Sequence, residues 1–169
     1  RDLISTDIRI LPRTAQSIRL ESLGFPPHIR SEIEQAAGFS SGLILVCGPT
    51  SSGKSTTIAG CFAAHADRFG ETRRRISIED PIERLLPGVI QINVPTHLDA
   101  DKRCQLIEAA VKRHDPDAIF VGEIRDRPSG GLAVSAAISG HLVFSTVHAT
   151  NTILGYHAVT NFVPQDRRA

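Results

Sequence analysis

The sequence predicts an α/β fold: a mainly parallel sheet flanked by helices. Three features carry that expectation. Short, continuous apolar runs recur at residues 43–47, 118–121 and 142–145, the pattern of strands buried on both faces of a sheet. Stretches with apolar residues at helical spacing lie between them. Acids, histidines and a glycine-rich turn follow the apolar runs directly, at the strand ends where α/β sheets place their ligands.

Residues 1–25 read as the tail of an N-terminal domain and its linker, and residues 26–169 as the α/β domain. Within the tail, residues 8–11 alternate enough for a short strand, which Pro12 ends. Gly24, Pro26 and Pro27 break the chain. A helix then fits from Pro26, with Ile29, Ile33, Ala36 and Ala37 on one face and Gly38 as its stop. The run 43–47 is a buried strand. After a glycine-rich turn, Ile58, Ala59, Phe62, Ala63 and Ala66 mark one face of a helix that stops near Gly70. Residues 75–78 form a short strand ending in Glu79, Asp80 and Pro81, and residues 89–94 alternate as a third, exposed strand. Leu106, Ile107, Ala110, Val111 and His114 define an amphipathic helix over 99–114. The strand 118–121, a helix of small residues over 131–139 and the strand 142–145 complete the pattern.

Composition limits the possible functions. Charged residues make up 22% and hydrophobic residues 41%, which places the chain among ordinary globular proteins. No apolar run reaches the roughly 20 residues of a bilayer span, so no transmembrane segment is expected. The formal net charge of +1 offers no general attraction for nucleic acid or anionic lipid, and no direct nucleic-acid partner is expected. The only lysines are Lys54, Lys102 and Lys112; the arginine bias reads as host composition. Cys47, Cys61 and Cys104 lack metal-ligand or redox-motif spacing, as reduced thiols in a cytosolic protein would. With no methionine, position 1 included, the sequence reads as a piece of a longer protein.

Four motifs sit at strand ends. Gly48, Pro49, Thr50, Ser51, Ser52, Gly53, Lys54, Ser55 and Thr56 match G-x-x-x-x-G-K-[ST] between a buried strand and a helix. Glycines there let successive backbone N–H groups close around phosphate oxygens, and the helix N-terminus adds partial positive charge. Lys54 supplies a compact cation for the β- and γ-phosphates, and Ser55 a hydroxyl for Mg²⁺. The implied ligands are ATP and Mg²⁺. In the second motif Glu79 and Asp80 end a strand and Pro81 turns the chain away, so a carboxylate faces the same crevice. That motif is either a solvated turn or, beside a nucleotide, a group that orients water. In the third, Glu123 caps the apolar run 118–121, where a carboxylate could hold a Mg²⁺-bound water or polarise the attacking one; Arg125 and Asp126 read as a local surface ion pair. In the fourth, His141 and His148 bracket the strand 142–145, either as structural histidines or as a γ-phosphate sensor. The remaining histidines have no Cys or acid at ligand spacing, so no zinc is implied.

Taken together, the four motifs resemble one family, the secretion-motor ATPases of type II secretion and type IV pilus systems. The turn 48–56 is similar to the family's Walker A, residues 78–83 to its aspartate box, residues 113–126 to its Walker B region and residues 140–148 to its histidine box, in the same order. The resemblance spans roughly residues 40 to 150. It implies a RecA-like fold and a homo-hexameric ring, cytoplasmic and peripheral to the bacterial inner membrane. The ring would meet a platform protein of that membrane and the secretion or pilus machinery. It also implies that Glu79 helps activate water, that Glu123 serves Mg²⁺ and hydrolysis, and that His148 reads the γ-phosphate. Arginines from the end of the N-terminal domain complete such sites, and Arg9 and Arg13 are the candidates here. The sequence departs from the family at Pro128, Ser129, Gly130 and Gly131, where the two glycines weaken a helix, and again after His148. Against the family pattern, the residues given read as stopping short of the C-terminal helical region and as not including the tetracysteine zinc module of some members. Two alternatives stay open: a type IV secretion or DNA-uptake motor of the same superfamily, and a nucleotide-binding subunit without turnover.

Overall fold

The computed structural model describes residues 17–95 and 97–163. Five strands form one sheet in the order β1-β5-β4-β2-β3, every pairing parallel. They are β1 (Gly42–Cys47), β2 (Arg75–Glu79), β3 (Ile90–Asn93), β4 (Ala118–Val121) and β5 (Leu142–Val147). The helices are α1 (Pro27–Ala37), α2 (Lys54–Phe69), α3 (Ala100–His114), α4 (Arg127–Ile138) and α5 (Thr152–Phe162). The expected parallel α/β sheet is present, with helices on both faces.

Strand alternation sorts side chains into two cores. Ala118 and Phe120 of β4 and Leu142 and Phe144 of β5 pack with Ile58, Cys61 and Phe62 of α2 and with Ala37 of α1. Phe62 meets Phe144 with ring centroids 5.1 Å apart and Phe120 at 6.3 Å edge-on, geometries that aromatic quadrupoles favour. The alternate residues Ile119, Val121, Val143 and Val147 point the other way, to Ile107 of α3, Ala133 and Ala136 of α4 and Val159 of α5. Leu20, inside the segment read as linker, is 1% exposed and packs onto α2, where a Cβ added to Gly60 would lie 2.8 Å from it. The strand expected over residues 8–11 lies outside the described residues.

Two local expectations change. The run 43–47 was expected to be buried on both faces, yet every residue of β1 is half-buried. Among the described residues its only sheet neighbour is β5, so β1 is an edge strand. The small-residue helix begins at Arg127, four positions before the expected 131. Asp126 caps it: its carboxylate accepts from the Ser129 N–H at 3.0 Å, and Ser129 Oγ accepts from the Asp126 N–H at 3.3 Å. This reciprocal capping box, with Pro128 in the first turn, outweighs the two glycines. Gly130 has a packing reason, since a Cβ there would meet Phe162 of α5 at 2.7 Å. In the stretch that departs from the family after His148, Thr152–Phe162 form α5, whose cap is Asn151, accepting from the Leu154 N–H at 2.9 Å.

One buried cation ties α2 to β2. The Arg75 guanidinium donates to Gly70 O at 3.0 and 2.9 Å and lies 3.4 Å from His65 Nδ1. His65 is 2% exposed. Burial first, and the Arg75 charge second, lower its pKa from 6.5 to about 4, while the Asp117 carboxylate opposes them. The unfolded chain therefore binds this proton at a higher pH than the folded one. The stabilisation is complete above pH 6.5 and is lost as pH falls from there to about 4. Urea midpoints of wild type and His65→Gln at pH 7 and pH 4.5 should differ most at the lower pH, where the variant keeps more of its stability. Parallel curves would contradict this.

Candidate functional site

The strand ends build the site. Residues 48–53 connect β1 to α2, and two glycines shape the turn. Gly53 has φ +90°, a left-handed conformation that a side chain would strain. Gly48 sits so close to Ser52 that a Cβ would collide with its hydroxyl. Ser51 also adopts a positive φ, 60°. The turn delivers the N-terminus of the 16-residue helix α2, with its unpaired N–H groups, to the cleft. Lys54 Nζ donates to Gly48 O at 2.9 Å and to Pro49 O at 2.7 Å, so the ammonium bridges the mouth of its own loop.

Glu79 is the last residue of β2, Glu123 follows β4 by two residues, and His148 follows β5 by one. These three and residues 50–56 line a single cleft of about 430 Å³. His148 Nε2 and Glu123 Oε1 are 3.2 Å apart. Neighbouring strands fasten the Glu123 segment: Ser145 Oγ donates to Val121 O and Thr146 Oγ1 to Gly122 O, both at 2.6 Å, and the Ile124 N–H donates to Thr146 O. Glu79 is half-buried, and burial raises its pKa above the ordinary 4.5; hydrogen bonds from Ser77 and Gln91 oppose that rise, and the Glu83 charge adds to it.

The two histidines part company. His141 lies at the opposite end of β5, its Nδ1 3.0 Å from Ala136 O. A carbonyl only accepts, so Nδ1 carries the proton in that contact. His141 therefore fastens the C-terminal turn of α4, and only His148 reaches the cleft. Asp126 does not pair with Arg125, because its carboxylate is taken by Arg103 of α3 and by the α4 cap. Arg103 and Arg125 both line the cleft; sequence spacing did not single out Arg103 and read Arg125 only as a partner of Asp126. Ser77 and Gln91, the partners of Glu79, were missed as well. Their signal was the polar alternation Ser77, Glu79 in one strand and Gln91 in the next, but the register joining them is a tertiary fact. Arg9 and Arg13 lie outside the described residues.

Mg²⁺ takes oxygen ligands and leaves several positions to phosphate and water. The Ser55 hydroxyl at the start of α2 and the Glu123 carboxylate both line the cleft and are donors of that kind, so the residues fit the ion. Among the described residues no cluster of three Cys, His, Asp or Glu side chains could hold a metal alone.

A parallel sheet whose glycine turn opens a helix on Lys54, with acids ending two neighbouring strands, defines the P-loop class of α/β proteins. Residues 5–163 match the family described as type II/IV secretion system protein. The type II secretion system protein HxcR of Pseudomonas aeruginosa is 38% identical over 156 residues, 92% of this chain and 32% of that protein. Two solved structures share the fold. The pilus retraction motor PilT with bound ADP has TM-score 0.71 and 36% identity, over 94% of this chain and 44% of that one. The Legionella pneumophila ATPase DotB has TM-score 0.70 and 26% identity, over 94% and 43%. The fold is RecA-like, and the chain belongs to the type II/IV secretion system protein family. It spans about a third of the length of the curated relatives it matches.

Proposed function

We propose that this chain is the ATP-binding and hydrolysing core of a motor subunit that powers type II secretion or the assembly or retraction of a type IV pilus. The observation that carries this reading is the meeting of four strand ends in one cleft: the Lys54 turn, Glu79, Glu123 and His148. In this reading residues 48–56 cradle the phosphates and Lys54 leaves its loop carbonyls for the β- and γ-phosphates. Glu79 orients and deprotonates the attacking water, and His148, held against Glu123, reads the γ-phosphate. Ser55 and Glu123 would hold Mg²⁺, Glu123 partly through water; when bound, the ion neutralises charge developing on the phosphates. In a homo-hexamer a neighbouring domain would close the cleft and add cations, with Arg9 and Arg13 as candidates. Among the described residues no helix is long and apolar enough to cross a membrane. Work at the inner membrane would then run through a platform protein.

Steady-state ATP hydrolysis by the full-length protein across a dilution series, with mass from light scattering, tests this. Specific activity should rise with protein concentration as the ring forms, and the 169-residue chain alone should be nearly inactive, because arginines supplied by a neighbour are worth about 10³–10⁵ in rate in phosphoryl transfer. Full, concentration-independent turnover in the short chain would remove the support for a ring motor. The family description also covers type IV secretion. Stimulation of turnover by DNA would favour a DNA-transfer motor instead.

A further inference from the structure

Glu79 does not stand alone at the end of β2. Ser77, two residues earlier on the same face, donates its hydroxyl to Glu79 Oε1 at 2.7 Å. Gln91 lies opposite Ser77 in the β2–β3 register and donates its amide N–H to that same oxygen at 3.1 Å. Two neutral donors therefore converge on one carboxylate oxygen and fix the rotation of the group.

The Gln91 amide has no freedom to turn. Its Oε1 accepts from the Leu86 N–H at 2.8 Å, and its Nε2 donates to Arg84 O, also at 2.8 Å. A backbone N–H demands the oxygen and a carbonyl demands the nitrogen, so the flipped amide would lose both bonds. Three of the four bonds the amide can make are thus assigned, and they join Glu79 to the loop that follows it. That loop brings Asp80, Pro81 and Glu83 to the wall of the cleft.

We infer that Gln91, with Ser77, is a positioning residue for hydrolysis: it aims the Glu79 carboxylate and couples that aim to the seating of residues 80–89. The inference rests on the reading of Glu79 as the group that acts on water. Gln91 does not line the nucleotide cleft, so it acts through Glu79 and not on substrate. An apolar residue of similar size at this position would release the carboxylate and the loop together. A small misplacement of a catalytic group costs up to about 10²-fold in rate.

The test uses full-length protein carrying Gln91→Leu, Ser77→Ala, Glu79→Gln and the double variant Gln91→Leu/Glu79→Gln, with kcat, KM for ATP and melting temperature measured for each. Gln91→Leu should lower kcat by about 10- to 100-fold and leave KM within about twofold. Ser77→Ala should do the same more weakly, and it serves if Gln91→Leu fails to fold. In the Glu79→Gln background, Gln91→Leu should cost nothing more, because its target is already gone. If Glu79→Gln is inactive while Gln91→Leu and Ser77→Ala keep full kcat, the positioning role is wrong and the Glu79 reading stands. If Gln91→Leu lowers kcat by the same factor in both backgrounds, the residue acts on general structure and the inference fails. If Glu79→Gln itself turns over normally, the reading of Glu79 fails and takes the positioning role with it.

Discussion

Lys54→Ala should weaken binding of MgATP and MgADP by about 2–5 kcal/mol, roughly 30-fold to several thousand-fold in Kd, the usual cost of removing one partner of a desolvated, charge-assisted contact. The expectation follows from placement. Lys54 is the first residue of α2 and lines the cleft, and its ammonium already bridges the Gly48 and Pro49 carbonyls at the loop mouth. Phosphate oxygens offer that ammonium a charged acceptor in place of two neutral ones. Lys54→Arg should not restore affinity, because a planar fork is larger and differently directed than a compact ammonium. Isothermal titration of the 169-residue chain with each nucleotide reads the effect. Unchanged Kd in Lys54→Ala would sink the assignment of the turn as a phosphate cradle.

Glu79→Gln and Glu123→Gln should bind ATP nearly as well as wild type and lose hydrolysis in the full-length protein. Glu79→Gln should lose about 10²–10⁴-fold, the range that a positioned proton acceptor contributes, and Glu123→Gln should lose activity through the Mg²⁺ shell it would hold. Each keeps the shape of the side chain and removes its charge. Glu79→Gln should also change stability. Burial lifts the Glu79 pKa above its ordinary 4.5, so folding favours the protonated form. Stability from this group is present below 4.5 and is lost as pH rises through the lifted value. At neutral pH the charge is a cost, and Glu79→Gln should melt higher than wild type while turning over far more slowly. A variant that loses activity and stability together would instead mark Glu79 as a structural residue.

Much of this was legible in the sequence because it was local. The glycine turn, Lys54 and the acids ending two apolar runs need only strand–turn–helix context, and each lies at the cleft. Element types followed from period: Ile119 and Val121 face one way and Ala118 and Phe120 the other, as a buried strand requires. Tertiary relations were not legible. Gln91 reaches Glu79 because β3 pairs with β2 in a register that no spacing along the chain encodes. Arg103 and Asp126 are 23 residues apart and meet only when α3 packs beside α4. His141 and His148 looked equivalent in sequence, but six intervening residues of extended strand carry them to opposite ends of the sheet. The start of α4 was misplaced because glycine propensity was weighed without the Asp126–Ser129 cap, which satisfies the first N–H groups whatever follows. β1 was read as buried on both faces from its apolar run, but neighbours across the sheet decide whether such a strand is covered.

The central claim is that the four strand ends form one site that binds ATP and cleaves it. The most direct measurement is the identity of the nucleotide held by full-length protein after incubation with labelled ATP and Mg²⁺, rapid desalting and chromatography. Wild type should carry ADP, Glu79→Gln and Glu123→Gln should carry uncleaved ATP, and Lys54→Ala should carry almost nothing. Equal amounts of ADP on all four proteins would contradict it.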